Sequence, residues 1–207
     1  MSDKVEATYR RSDMREKRRQ WPMGGVLRQP AGRKRERRGG DTSRSDMILS
    51  THAVVGGAVA SLFPSHPVLV AVAAFASHFA IDAIPHWDYP LQAITLKPGG
   101  DNRRLFQDPR LFLDLALIGF DASAGLLLAI WLFAAPATIG VIVLGALAGM
   151  APDPLQLLHS LFPKQPLSTL QSFHRWIHTK RSLTWPLGIS SQALFATVVS
   201  WLILTVG

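Results

Sequence analysis

From residue 48 onward the chain alternates between apolar runs and short breaks, and the breaks define the elements. Residues 48–63 form a first apolar run, closed by "PSHP". A second covers 68–84 and stops at Pro85, because a proline pushes the residue before it out of the helical region. A polar stretch, 86–107, follows. "DPRLF" is a helix start, with Asp108 as N-cap and Pro109 in the first helical position. The third apolar segment, 110–133, ends at "AAPAT", and the fourth covers 139–150. "APDPLQLLHSLF" restarts a short helix with Asp153 as N-cap before Pro154. A polar stretch, 163–181, leads to the last segment, 183–206.

The pattern predicts an all-α protein, a polytopic transmembrane bundle of about five apolar helices. The third and fifth segments are each about 24 residues long with very few charges, and a span needs roughly 20. Trp131, Trp185 and Trp201 stand near segment ends, where interfacial anchors are common. The small residues of "GALAGM" let helices approach closely.

Charge divides the chain in two. Residues 1–46 carry 14 of the 22 Lys and Arg and seven of the 14 Asp and Glu, a net of +7. They contain few apolar residues and no helical period, so a disordered basic tail is expected, suited to contact anionic lipid or nucleic acid. Met47 is a second possible start, since "MILSTHAVVGG" opens the apolar domain, 47–207, directly. That domain has a net charge of +1 and holds all seven histidines. Its Lys and Arg fall before the first segment, between the second and third, and between the fourth and fifth. Five crossings with a cytoplasmic amino terminus put every basic loop inside, as in the cytoplasmic membrane of a bacterium.

The same topology gathers imidazoles and carboxylates at the inner face. His52 begins the first segment. His78 and Asp82 end the second, four residues apart and so on one helix face. His174 and His178 repeat that spacing in "SFHRWIHT". Asp114 and Asp121 lie on one face of the third segment, and Asp153 follows the fourth. Ionisable groups in spans are costly and mark a pathway, a pair or a metal. The chain has no cysteine, so a divalent ion, zinc foremost, would be held by His and Asp: His52, His78, Asp82, His174 and His178. Asp114 or Asp153 would orient a water or act as general base. Arg175, Lys180 and Arg181 would hold an anionic substrate. Simpler roles stand beside these: Asp153 as a cap, Asp88 as an Asx turn before Pro90, Asp121 as the partner of another span, and the three cations as orientation signals.

"THAVVGG", "SHFAIDAIPHWDY", "GMAPDPLQ" and "FHRWIHTKRS" resemble the YdjM-like membrane-bound metal-dependent hydrolases over most of residues 47–207. The matching positions are His52, Asp153 in "PDP", His174 with His178, and His78 with Asp82. The Ser-His-x-x-x-Asp element stands second here instead of late. "PDPLQ" lacks the family's further Asp and His. A sister family in which His86 and Asp88 supply those ligands is the alternative.

The resulting expectation is a membrane-embedded hydrolase of an ester or phosphoester, such as one in a lipid headgroup, with the bilayer as its surroundings. Two rivals are a proton or metal transporter using the same His and Asp residues, and a non-catalytic membrane protein acting through its tail.

Overall fold

The computed structural model describes residues 48–87, 91–94, 102–179, 181 and 183–206. The basic tail, Asp88 and Lys180 lie outside the described residues. Among those described, the chain is all helical. It comprises α1 (Leu49–Leu62), α2 (Pro67–Asp82), a 3-10 helix (Asn102–Gln107), α3 (Arg110–Phe133), α4 (Ile139–Met150), α5 (Pro152–Leu161), α6 (Leu167–Ile177) and α7 (Trp185–Val206).

α1 lies at the centre, packed against α2, α3, α4 and α7. Its sequence is built from small residues, and Ala53, Ala58 and Ala60 are fully buried. The tightest crossing is with α4. A Cβ on Gly145 would stand 2.5 Å from the Gly56 carbonyl oxygen and 2.6 Å from Ala60 Cβ. Only glycine lets the two backbones meet there, as at small-residue crossings of membrane helices. α1 begins against α3, where the Ser50 N–H donates to Asp121 Oδ2 at 2.9 Å. The first turn of a helix has N–H groups without intrahelical partners, and a carboxylate from a neighbour satisfies one of them. Asp121 therefore has a structural use.

Among the described residues two helices, α3 and α7, are long and apolar enough to cross a membrane, and α4 with α5 makes a third if the pair, bent by 47°, is one span. Both long helices turn large apolar side chains outward, among them Phe112, Phe120 and Trp131 on α3 and Trp185 and Trp201 on α7. Apolar exposure on that scale suits lipid better than water.

The count of about five apolar spans is corrected by length. α1 and α2 have 14 and 16 residues, about 21 and 24 Å at ~1.5 Å per residue, against a hydrocarbon core of about 30 Å. α1 is apolar because protein surrounds it. Hydropathy records the loss of water and is blind to whether protein or lipid replaces it.

Two caps also shift, one by a single residue and one by two. α3 starts at Arg110 with Pro109 at the cap, and Asp108 Oδ1 accepts the Arg110 N–H at 3.0 Å. Hydrogen bonds from the Arg110 side chain hold the Asp108 carboxyl below the usual carboxylate range. α5 starts at Pro152, so Asp153 sits inside its first turn and Ala151 is the cap.

The α1–α4 crossing predicts opposite outcomes at two glycines of one helix. Gly145→Ala should lower unfolding stability in detergent by about 1–3 kcal/mol through overpacking. Gly140→Ala, whose Cβ would meet nothing within 4 Å, should be neutral or gain up to about 1 kcal/mol from helix propensity. Thermal or denaturant melts followed by circular dichroism decide between them, and equal losses would refute the crossing.

Candidate metal centre

Asp82, the last residue of α2, is 1% exposed, and its carboxylate is met from three elements. His174 Nε2 of α6 hydrogen-bonds to Oδ2 at 2.6 Å. His78 Nε2, one turn earlier on α2, is 3.1 Å from Oδ2. His52 Nε2 of α1 is 3.3 Å from Oδ1. Asp153 of α5 joins through Oδ1, 3.5 Å from His78 Nε2. His86 and His178 form a group with Asp82 in which one ligand atom from each lies within 4.8 Å of the others. Their rings meet edge to face with centroids 4.8 Å apart.

The local folding that delivers these groups is specific. α1 can bring His52 in because its carbonyl passes Gly149 of α4, where a Cβ would stand 2.6 Å from His52 O. α4 ends at Met150 before Pro152, which has no N–H to continue the ladder, and the bend brings Asp153 to His78. α2 and α6 end side by side. The Thr179 N–H donates to Asp82 O at 2.9 Å and the Leu183 N–H to His86 O at 2.8 Å. From α7, Gln192 Nε2 donates to Trp87 O at 3.1 Å, and Gly188 makes room for Trp87.

A second layer fixes the rings. His78 Nδ1 lies 2.9 Å from Gly149 O, His86 Nδ1 2.7 Å from Ile84 O, and His178 Nδ1 2.9 Å from Thr179 O. A carbonyl can only accept, so each Nδ1 carries the proton, and in the neutral ring Nε2 is left as a lone pair. Backbone orientation of this kind is what metal-binding histidines show. For His78 the consequence is sharp, because a bare Nε2 and a carboxylate oxygen, both acceptors, face each other at 3.1 Å.

The electrostatics of the cluster suit a cation. The His52 and His78 rings stack with centroids 4.0 Å apart, so charging both would set like charges together in a buried site. His52 Nε2, His78 Nε2 and Asp82 Oδ1 are buried and make no well-directed hydrogen bond. Two ligands on one tetrahedral zinc are roughly 3.3 Å apart, from Zn–N of about 2.0–2.1 Å, and the 3.1–3.5 Å separations here fit that spacing. α2, α4 and α6 all end at the cluster, and helix C-termini carry partial negative charge. α1 and α5 begin there, but Asp121 and Asp153 answer those N-terminal ends. The donor set fits a divalent ion held by neutral imidazoles and carboxylates.

Of the residues singled out from the sequence, His52, His78, Asp82, His86, Asp153, His174 and His178 converge. Asp114 does not join them. Its carboxylate accepts the backbone N–H groups of Gln92, Ala93 and Ile94 at 2.8–3.0 Å, which pins that loop to the start of α3. Arg175 and Arg181 are exposed. His178 follows α6 as its cap instead of lying within it. Gly149 was visible in the sequence as a small packing residue, and nothing in the pattern pointed to its carbonyl.

Divalent metal should raise the thermal midpoint of the full-length protein. Zinc at a hundred times its Kd adds about 2.7 kcal/mol, read as a shift in tryptophan fluorescence melting. His78→Ala should abolish the shift. Asp114→Asn should melt earlier yet keep it, and loss of the shift there would place Asp114 in the centre. Comparison of the chain with family models, with curated proteins and with solved structures finds no match.

Proposed function

We propose that the protein is a membrane-embedded, metal-dependent hydrolase acting on an ester or phosphoester at the membrane interface. The observation that carries this reading is the pair of acceptors, His78 Nε2 and Asp82 Oδ2, held face to face inside a shell of further imidazoles. His52, His78, Asp82, His86, His174 and His178 are the ligands available. The likeness of these positions to the YdjM-like hydrolases points the same way.

A divalent cation bound there supplies Lewis acidity, which polarises an ester or phosphoester oxygen and acidifies water. The chain itself handles the proton. Asp153 is 10% exposed where Asp82 is 1%, so Asp153 is the less buried carboxylate of the cluster. It accepts the proton of the attacking water as general base. Asp82 and the histidines exclude bulk water and hold the centre rigid.

The surroundings favour an amphiphilic, anionic substrate. α6 buries His174 and exposes Phe173, Arg175 and Trp176, a face able to sit among lipid headgroups. Arg110 starts α3, and Arg175 and Arg181 precede α7. With three spans these ends share one side, and basic flanks favour the cytoplasmic side. His174 and His178 lie just before α7 at that side, and Asp153 stands at the break between α4 and α5.

The test is turnover by the full-length protein in mixed detergent–phospholipid micelles, with headgroup release followed by phosphorus NMR. Chelation should stop it and zinc restore it. Asp153→Asn should lower kcat by about 10²–10⁴-fold with metal content unchanged. A metal-loaded wild type that hydrolyses neither phospholipid nor a soluble nitrophenyl ester or phosphoester would end the hydrolase reading.

A further inference from the structure

Seven side chains are more than one zinc takes, since a tetrahedral site uses four ligands. The described residues form three overlapping groups able to hold an ion: His52–His78–Asp82, His78–Asp153–His174 and Asp82–His86–His178. They cannot all be filled. His78 offers only Nε2, because its Nδ1 donates to Gly149 O, and one nitrogen lone pair serves one ion. The first two groups, which share His78, are therefore alternatives. The third shares only Asp82 with the first, and a carboxylate has two oxygens.

We propose that the cluster is a two-ion centre, with one divalent cation on His52, His78 and Asp82, a second on Asp82, His86 and His178, and the Asp82 carboxylate between them. The first group is preferred over its alternative because His52 Nε2, His78 Nε2 and Asp82 Oδ1 all lack a well-directed hydrogen bond. That choice also leaves Asp153 for the proton. The second group has its own scaffold. Ile84 O and Thr179 O set the Nδ1 atoms of His86 and His178, and the paired chain exits of α2 and α6 hold the two residues together. The inference rests on the metal-binding part of the function proposed above and narrows its substrate class. Paired cations suit a phosphoester, in which charge develops on several oxygens at once.

The experiment is metal stoichiometry. Full-length protein is stripped with chelator, loaded with zinc, desalted and measured by plasma mass spectrometry. Two zinc ions per chain are expected, falling to one in His86→Ala, one in His52→Ala, and below one in Asp82→Ala. Loading with manganese gives a readout free of variants: two ions bridged by a carboxylate show an exchange-coupled paramagnetic resonance spectrum, and one ion shows an isolated six-line signal. One zinc per chain with an uncoupled manganese signal overturns the two-ion centre and leaves a single-metal hydrolase standing. No zinc overturns both. Two zinc ions with a stoichiometry unchanged by His86→Ala put the second ion elsewhere and also overturn the proposal.

Discussion

A carboxylate sealed among apolar helices is the constraint around which the rest is arranged. Asp82 is 1% exposed, and a buried charge is tolerated only when paired, hydrogen-bonded or bound to metal. The answering groups come from far apart in the chain: His52 from α1, His78 from its own helix, His174 from α6. Removing any one leaves the others facing a charge with less compensation, which is the costly way to break a buried pair. Helix packing and chemistry are thus one problem here. Gly149 lets α1 approach closely enough for His52 to reach Asp82, and the carbonyl of the same glycine orients His78.

The second layer is made almost entirely of backbone. Gly149 lies in the last turn of α4, while Ile84 and Thr179 lie just beyond the ends of α2 and α6. Helix C-termini have carbonyls to spare; that of Gly149 and two carbonyls just past helix ends are given to imidazoles. The choice settles two matters together. It fixes which nitrogen points inward, and it brings the negative ends of three helices to the place where a cation would sit.

The sequence made some of this legible. Residues 110–133 and 139–150 are the bounds of α3 and α4, since proline and polar breaks mark them sharply. The four-residue spacing of His78 and Asp82 placed a ring and a carboxylate on one face, and they lie 3.1 Å apart. Other features had no local signature. α1 looks like a span because burial in protein and burial in lipid select the same residues, and α2 looks like one because it is apolar throughout, with Val68, Leu69 and Val72 exposed, although it has only 16 residues. Asp114 and Asp121 look like a functional pair on one face of α3, yet one binds loop N–H groups and the other the start of α1. Such roles depend on which backbone amides the fold leaves unsatisfied, and a linear pattern does not record that. The place of His86 beside His178 likewise depends on two chain exits meeting from far apart in the sequence, as Thr179 N meets Asp82 O and His178 meets His86.

The shape of the polar region bears on the proposed hydrolysis and on its rival, conduction. A path for protons or metal ions needs ionisable or hydrogen-bonding groups in succession through the apolar region. The cluster occupies the start of α1 and the ends of α2 and α4. At their opposite ends, Ala60, Val70 and Ile142 are fully buried against one another, with Phe133, Val141 and Leu144 packed around them. Between the two regions α1 presents Ala53, Val54, Val55, Gly56 and Gly57, and α2 presents Ala74. None of these can relay a proton or replace a ligand on a moving ion. Along α1 and α2 the ionisable groups stop at Asp82 and His52, which favours the proposed hydrolysis over passage.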